Sequence, residues 1–158
     1  MDFRREGTTV REAFVVLVSA ISIVLGAAGA VGAQSASDVN GNLDTLFGDH
    51  APYAAFFDKL KKAVGAGDKE TVASMVDYPF QARINDKAVK IRDRKHFVAD
   101  YDQIVTGKVK AALARQTYAT LFANWQGVMI GDGEVWFNGV CGDDACKQQT
   151  VRITAIND

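Results

Sequence analysis

Cys141 and Cys146 are the residues whose type and spacing most directly permit chemistry. They enclose four residues, which suits a hairpin loop and would place the two side chains opposite each other, near bridging distance. Because so short a loop loses little chain entropy on closure, a bridge would be a local restraint worth at most about 2 kcal/mol. A redox role is the alternative, but no predicted helix follows the first cysteine to activate its thiolate. We expect a structural disulfide.

The other candidate catalytic groups lack the partners that their chemistry needs. His50 and His96 fall in the first turns of two different predicted helices, and local spacing assembles no zinc ligand set, so no metal site is expected. No serine stands in a G-x-S-x-G elbow. The Gly131-Asp132-Gly133 stretch is followed by a predicted strand rather than a helix, which indicates a hairpin turn and not a phosphate-binding loop. We expect no cofactor.

An uncharged run over residues 13–33 follows three arginines and ends in small side chains before Gln34. This layout is typical of a secretory signal peptide, so we expect residues 1–33 to be removed by cleavage after Ala33. A membrane anchor is the alternative, since about 20 apolar residues span a bilayer. The last third of the run is only weakly apolar, and no basic cluster follows it. We therefore expect a periplasmic or secreted protein with no stable membrane anchor, in an oxidising compartment.

Charge and length exclude some classes of partner. The 158 residues include 18 basic and 19 acidic side chains, for a formal net charge of −1. Phosphate backbones are bound by a concentrated basic face, so no nucleic acid partner is expected. Residues 34–158 have the size of a single domain. We expect a flexible mature N-terminus over residues 34–48 and one domain over residues 49–158.

Helical periodicity dominates the first part of that domain. Asp49 and Pro52 open a predicted helix, Asp68 and Asp93 are predicted caps of two more, and a fourth helix is predicted to begin near Thr106. The first of these helices shows apolar residues at helical spacing: Tyr53, Phe56, Phe57, Leu60 and Val64. The sequence therefore predicts helices that bury one face each.

Alternating apolar residues predict strands elsewhere. Residues 80–91 read as a small hairpin around Asn85 and Asp86, and the last third of the chain reads as sheet. Helices followed by a long antiparallel sheet indicate an α+β fold with the N-terminal helices packed on one face of the sheet.

The four-residue cysteine loop also predicts the pairing of the last hairpin. It places Trp136 opposite Val151, on the same face as Ile153, and we expect the helices to cover this face. The other face carries Val135 and Phe137, which are apolar enough to bury against a second copy of the chain.

Residues 52–156 resemble the nuclear-transport-factor-two-like superfamily, also called cystatin-like or polyketide-cyclase-like, and its exported bacterial members. The resemblance lies in the order of elements, in residues 67–79 and in residues 127–137 (GVMIGDGEVWF). It implies a curved antiparallel sheet that the helices close into a cone.

The resemblance also implies a pocket between the helices and the sheet. Its aromatic lining would be Tyr78, Phe80, Tyr101, Trp125 and Trp136. We expect a ligand-binding role for Tyr78, Tyr101, Trp125 and Trp136, and no catalytic residue. In the alternative interpretation, Asp102 or Glu134 acts as acid or base and Tyr101 as hydrogen-bond donor.

These features predict an exported, non-catalytic binding or protein-interaction domain. The expected ligand is a small apolar molecule or another exported protein, with a homodimer through the sheet as a further option. An inhibitor of an exported toxin, using the loop over residues 142–145, would be a subclass of this function. The alternative is a small isomerase, dehydratase or cyclase-like enzyme with a pocket carboxylate.

Overall fold

Helices and a small hairpin come first in the chain, and a run of four strands comes last. A computed structural model describes residues 34–84 and 87–158. In chain order the elements are α1 (Ala36–Phe47), α2 (Ala51–Gly65), α3 (Lys69–Ser74), β1 (Phe80–Ile84), β2 (Lys87–Ile91), α4 (Arg94–Ala99), α5 (Tyr101–Ile104), α6 (Gly107–Arg115), a 3₁₀ turn (Tyr118–Thr120), β3 (Phe122–Asn124), β4 (Gly127–Ile130), β5 (Val135–Cys141) and β6 (Gln149–Ile156). The predicted α+β class is confirmed.

The predicted signal peptide lies outside the described residues. Of the helices that are described, none combines the length and the apolar character that a bilayer span requires.

The segment predicted to be a flexible N-terminus forms helix α1 instead. Ser35 and Asp38 make a capping box, in which each side chain accepts a hydrogen bond from the other residue's backbone N–H. Val39 and Leu43, one helical turn apart, are fully buried. The prediction was wrong because the segment's polar composition concealed this i, i+4 apolar pair.

The other predicted helices are present, but the single helix predicted after Asp93 is interrupted at Asp100 and forms α4 and α5. The side chains of Asp68, Asp93 and Thr106 each accept a hydrogen bond from the backbone N–H three residues later, which begins α3, α4 and α6. Helix α2 begins close to Pro52 and buries an apolar stripe: Tyr53, Phe56, Phe57, Leu60, Ala63 and Val64.

The six strands form one sheet in the order β2-β1-β6-β5-β4-β3. Neighbours run antiparallel except β1 and β6, which pair in parallel through Ala82 and Ile156. The sheet is therefore mixed, not wholly antiparallel as predicted. Helices α4 to α6 carry the chain from the β2 edge to the β3 edge, and β6 returns beside β1. The inward side chains of the sheet belong to the core: Phe80, Ala82, Val128, Ile130, Val135, Phe137 and Ile153.

From Cys141 back to Phe137, the pairing of β5 with β6 differs from the prediction by three residues, an odd number. Cys141 pairs with Gln149 rather than Cys146, because the loop extends over residues 142–148. An odd shift moves side chains to the opposite face of a strand. Phe137, paired with Ile153, is therefore buried, and Trp136 points away from the helices, contrary to the prediction.

A bulge keeps the rest of the hairpin in phase. Phe137 pairs with Ile153 and Trp136 with Ala155, so Thr154 has no opposite residue. Because of this skip, Val135 and Ile156 also point inward and are buried.

The predicted disulfide between Cys141 and Cys146 is confirmed, with a Cα–Cα distance of 4.8 Å. Cys141 ends β5, whereas Cys146 lies within the loop, with a positive φ of 47°. The bridge therefore closes one side of the loop and does not join two paired strand residues.

Candidate binding site on the outer face of the sheet

Four strands each place one apolar side chain in a common row on the face away from the core. Phe122 on β3 pairs with Met129 on β4, Met129 with Trp136 on β5, and Trp136 with Ala155 on β6. We call these four residues the outer-face row. Phe122 is 50% exposed and the other three are half-buried. Because neighbouring strands lie about 4.8 Å apart, the row is a continuous apolar band across the sheet.

Two clefts open beside Trp136. The first, which we call the amide cleft, has a volume of 370 Å³ and is lined by Gln126, Trp136, Thr154, Ala155 and Asn157. The second, the carboxylate cleft, has a volume of 440 Å³ and is lined by Lys108, Met129, Asp132, Gly133, Glu134, Trp136 and Asn157. Ala155 and Met129 flank Trp136 on opposite neighbouring strands, so the clefts lie on its two sides. Both volumes fall in the range of about 300–1,000 Å³ that small-molecule sites occupy.

Glu134 is the one buried carboxylate of the carboxylate cleft, at 7% exposed. Its Oε2 accepts a hydrogen bond from the backbone N–H of Asp132 (2.6 Å), while Oε1 lies 3.9 Å from Lys108 Nζ. Gly131, with a φ of +66°, makes room for this carboxylate, since a Cβ there would overlap with Glu134 Oε2. One oxygen therefore stabilises the turn between β4 and β5, and the other faces the cleft.

Tyr101 and Asp102 belong to a different part of the molecule. Tyr101 is 1% exposed and packs against Phe97, and within the described residues its hydroxyl has no hydrogen-bond partner. Lys69 Nζ and Lys110 Nζ lie 5.3 and 5.6 Å from the centre of its ring. Burial, and secondarily the charge of Asp102, raises the pKa of the Tyr101 phenol.

Asp102 itself is an exposed ion-pair partner. Its carboxylate lies 2.5 Å from Lys69 Nζ and 3.4 Å from Lys110 Nζ. The hydrogen bond from Lys69 lowers the pKa of Asp102 and keeps it ionised. Neither Tyr101 nor Asp102 lines either cleft beside Trp136, so the structure does not place them in the carboxylate cleft with Glu134.

Two of the predicted ligand-binding aromatics lie away from the outer-face row. Tyr78 is half-buried beside Phe97, and its hydroxyl donates to the backbone oxygen of Ala73 (2.9 Å), while burial raises its pKa. Trp125 is 80% exposed in the turn between β3 and β4 and lines neither cleft. Phe80 packs on Phe97 in the core. The interior expected to form the cone pocket is occupied by these aromatic contacts.

Among the described residues, one group could supply three metal ligands, namely Asp44, Asp49 and His50 at the junction of α1 and α2. Their candidate ligand atoms lie within 4.8 Å of one another. However, His50 Nδ1 lies 2.8 Å from Asp44 Oδ1, and Asp49 accepts a hydrogen bond from the backbone N–H of Ala51. The hydrogen bond with His50 lowers the pKa of Asp44. These contacts give the three side chains a structural role, which is to stabilise the turn between α1 and α2.

The structure thus brings together two of the predicted site residues, Trp136 and Glu134, and surrounds them with residues that were not predicted to belong to a site. These are Lys108, Phe122, Gln126, Met129, Asp132 and Asn157. The alternation of inward and outward residues along β3 and β4 could have found Phe122 and Met129. Asn157 could be predicted as a site residue only from the correct pairing of β5 with β6.

Comparison with models of protein families, with curated proteins and with solved structures finds no match to this chain. The resemblance to the nuclear-transport-factor-two-like superfamily therefore stays an expectation drawn from element order and residues 67–79 and 127–137.

Proposed function

We propose that this chain is an exported, non-catalytic binding domain of nuclear-transport-factor-two-like type, and that it contacts its ligand through the outer-face row. The observation that carries the proposal is the position of Trp136. It lies between two clefts on a sheet face that the described helices leave uncovered. Exposed apolar bands rimmed by polar residues are typical of interaction sites.

The interior supports a binding role on the surface rather than in a cone. Three of the five aromatic side chains expected to line an internal pocket, Tyr78, Phe80 and Tyr101, pack on Phe97 at ring-centre distances of 6.0–6.4 Å. Close packing of this kind leaves an apolar ligand little room between the helices and the sheet. A ligand on the outer face needs no such room.

A photo-crosslinker in the row tests this function. Phe122 can be replaced by benzoylphenylalanine, which keeps an aromatic ring at a half-exposed position, with Ala55 on the exposed side of α2 as the control site. After irradiation in the producing organism, intact-mass analysis should show adducts at position 122 and none at position 55. Equal labelling at both positions, or none at 122, would contradict the proposal.

The second candidate is an enzyme of the isomerase, dehydratase or cyclase kind. The buried Glu134 carboxylate beside Lys108 favours it, because a desolvated carboxylate in a cleft is a common acid or base. Two observations weigh against it: the backbone N–H of Asp132 engages one oxygen of Glu134, and neither Tyr101 nor Asp102 lines the carboxylate cleft. A captured small molecule that the protein alters, with the change lost in Glu134→Gln, would favour the enzyme.

A further inference from the structure

The chemistry of the two clefts defines the class of ligand for the surface described above. Each cleft has an apolar wall and a polar rim. The shared wall is the half-buried indole of Trp136, with Ala155 on one side and Met129 on the other. The rim carries both hydrogen-bond donors and hydrogen-bond acceptors.

The donors of the rim are the Lys108 ammonium, the Gln126 amide and the Trp136 indole N–H. Within the part of the chain that the structure describes, neither the indole N–H nor the Gln126 side-chain amide makes a hydrogen bond. Lys108 reaches Glu134 only at 3.9 Å. These groups are therefore available to a ligand that accepts hydrogen bonds.

The acceptors lie beside them. Glu134 Oε1 faces the carboxylate cleft without a hydrogen bond from the described residues, and Asp132 lines the same cleft. Asn157 belongs to both clefts, and its Nδ2 donates to the backbone oxygen of Gly133 (2.8 Å), which fixes the amide and leaves its oxygen available. A ligand that fills either cleft meets donors and acceptors a few ångströms apart.

This combination excludes several ligand classes. A purely apolar molecule would cover these polar groups without satisfying them, at about 1–3 kcal/mol for each. In the carboxylate cleft an anion would face two carboxylates, Asp132 and Glu134, against one ammonium, and the described lining of the amide cleft offers it no cationic side chain. A polyhydroxylated ring fits both the polar rim and the apolar wall. Its hydroxyls donate and accept hydrogen bonds around its edge, while its C–H face packs on an aromatic ring.

We infer that the outer face binds a neutral oligosaccharide, with one sugar ring on each side of Trp136. This inference rests on the function proposed above and adds the class of ligand. Since both clefts share Trp136 and Asn157, two linked sugar units can occupy them together. A disaccharide or longer chain should therefore bind more tightly than a monosaccharide.

Titration calorimetry with three neutral tetrasaccharides, chitotetraose, cellotetraose and maltotetraose, tests the inference. We expect at least one to bind, and Trp136→Ala to weaken that binding about tenfold or more. Trp125→Ala is the matched control, because this exposed indole lines neither cleft, and it should leave the affinity unchanged.

Two further variants keep the test valid if Trp136→Ala fails to fold. Gln126→Ala and Lys108→Ala each remove an exposed side chain from one cleft only. Each should lower the affinity several-fold.

In Trp125→Phe, Trp136 becomes the sole tryptophan. Binding of the tetrasaccharide should shift the fluorescence of Trp136 to the blue and protect it from quenching by acrylamide.

The inference is overturned if no tetrasaccharide binds at millimolar concentration, or if binding survives in the Trp136, Gln126 and Lys108 variants alike. If adducts still form at position 122 in that case, the surface binds another ligand and the proposed function stands. If those adducts also fail to form, both proposals fall together.

Discussion

At the scale of single residues, burial and hydrogen bonding separate the two tyrosines that the sequence assigned to ligand binding. The Tyr78 hydroxyl donates to the backbone of Ala73, whereas the more deeply buried Tyr101 hydroxyl has no partner among the described residues. A buried polar group without a partner costs free energy, while a satisfied one does not. Replacing tyrosine with phenylalanine should therefore have opposite effects on the free energy of unfolding at the two positions.

Tyr101→Phe should leave the free energy of unfolding unchanged or raise it by about 1 kcal/mol, because it removes an unsatisfied hydroxyl. Tyr78→Phe, the control, should lower it by about 1 kcal/mol, because it removes a hydrogen bond. Urea denaturation measures both. A clear loss of stability in Tyr101→Phe would show that a buried water or another group hydrogen-bonds to this hydroxyl.

At the scale of elements, α1 is the main addition that the structure makes to the sequence. Its two inward residues join the same core as α2 and the sheet, and Tyr118 after α6 donates a hydrogen bond to Asn40 within it (2.8 Å). Helix α1 is therefore a structural part of the domain.

Two leucines of α1 provide a matched test of this role. Leu43 is completely buried and Leu46 is 36% exposed. Leu43→Ala should lower the free energy of unfolding by about 2–5 kcal/mol through the lost burial and the cavity left behind. Leu46→Ala should cost less than about 1 kcal/mol. Equal, small effects in urea denaturation would return this segment to the flexible N-terminus predicted from the sequence.

The sequence predicts local structure here better than it predicts pairing. Caps at Asp68 and Asp93 identify their helices, because a cap is a contact between residues three positions apart. The direction in which Trp136 points depends instead on which residue of β6 pairs with each residue of β5, and the length of the loop over residues 142–148 sets that pairing. The candidate site was accordingly predicted only in part, since Trp136 and Glu134 were named but their neighbours on β3, α6 and β6 were not.

At the scale of the whole molecule, one core extends from Val39 to Ile156, and the disulfide lies outside it. Cys141 and Cys146 are five positions apart, and the loop that carries them is mostly exposed. The bridge therefore restrains a peripheral loop, while hydrophobic burial stabilises the rest of the fold.

Replacing both cysteines with serine should lower the free energy of unfolding by about 2 kcal/mol, the chain-entropy value for so short a loop. Unfolding should stay cooperative, and the wild-type protein under reducing conditions should behave like the variant in urea denaturation. The tetrasaccharide affinity should not change, because neither cysteine lines the clefts. Loss of folding in the double variant would contradict this assignment.

The strand that comes last in chain order, β6, lies in the middle of the sheet, between β1 and β5. Until a ribosome has released Gln149 and the residues after it, the nascent chain holds two sheet fragments, β1–β2 and β3–β5, with no strand hydrogen-bonded between them. The sheet therefore cannot close before β6 has been synthesised, and a product that stops short of Gln149 would expose the inward side chains of both fragments to chaperones and proteases.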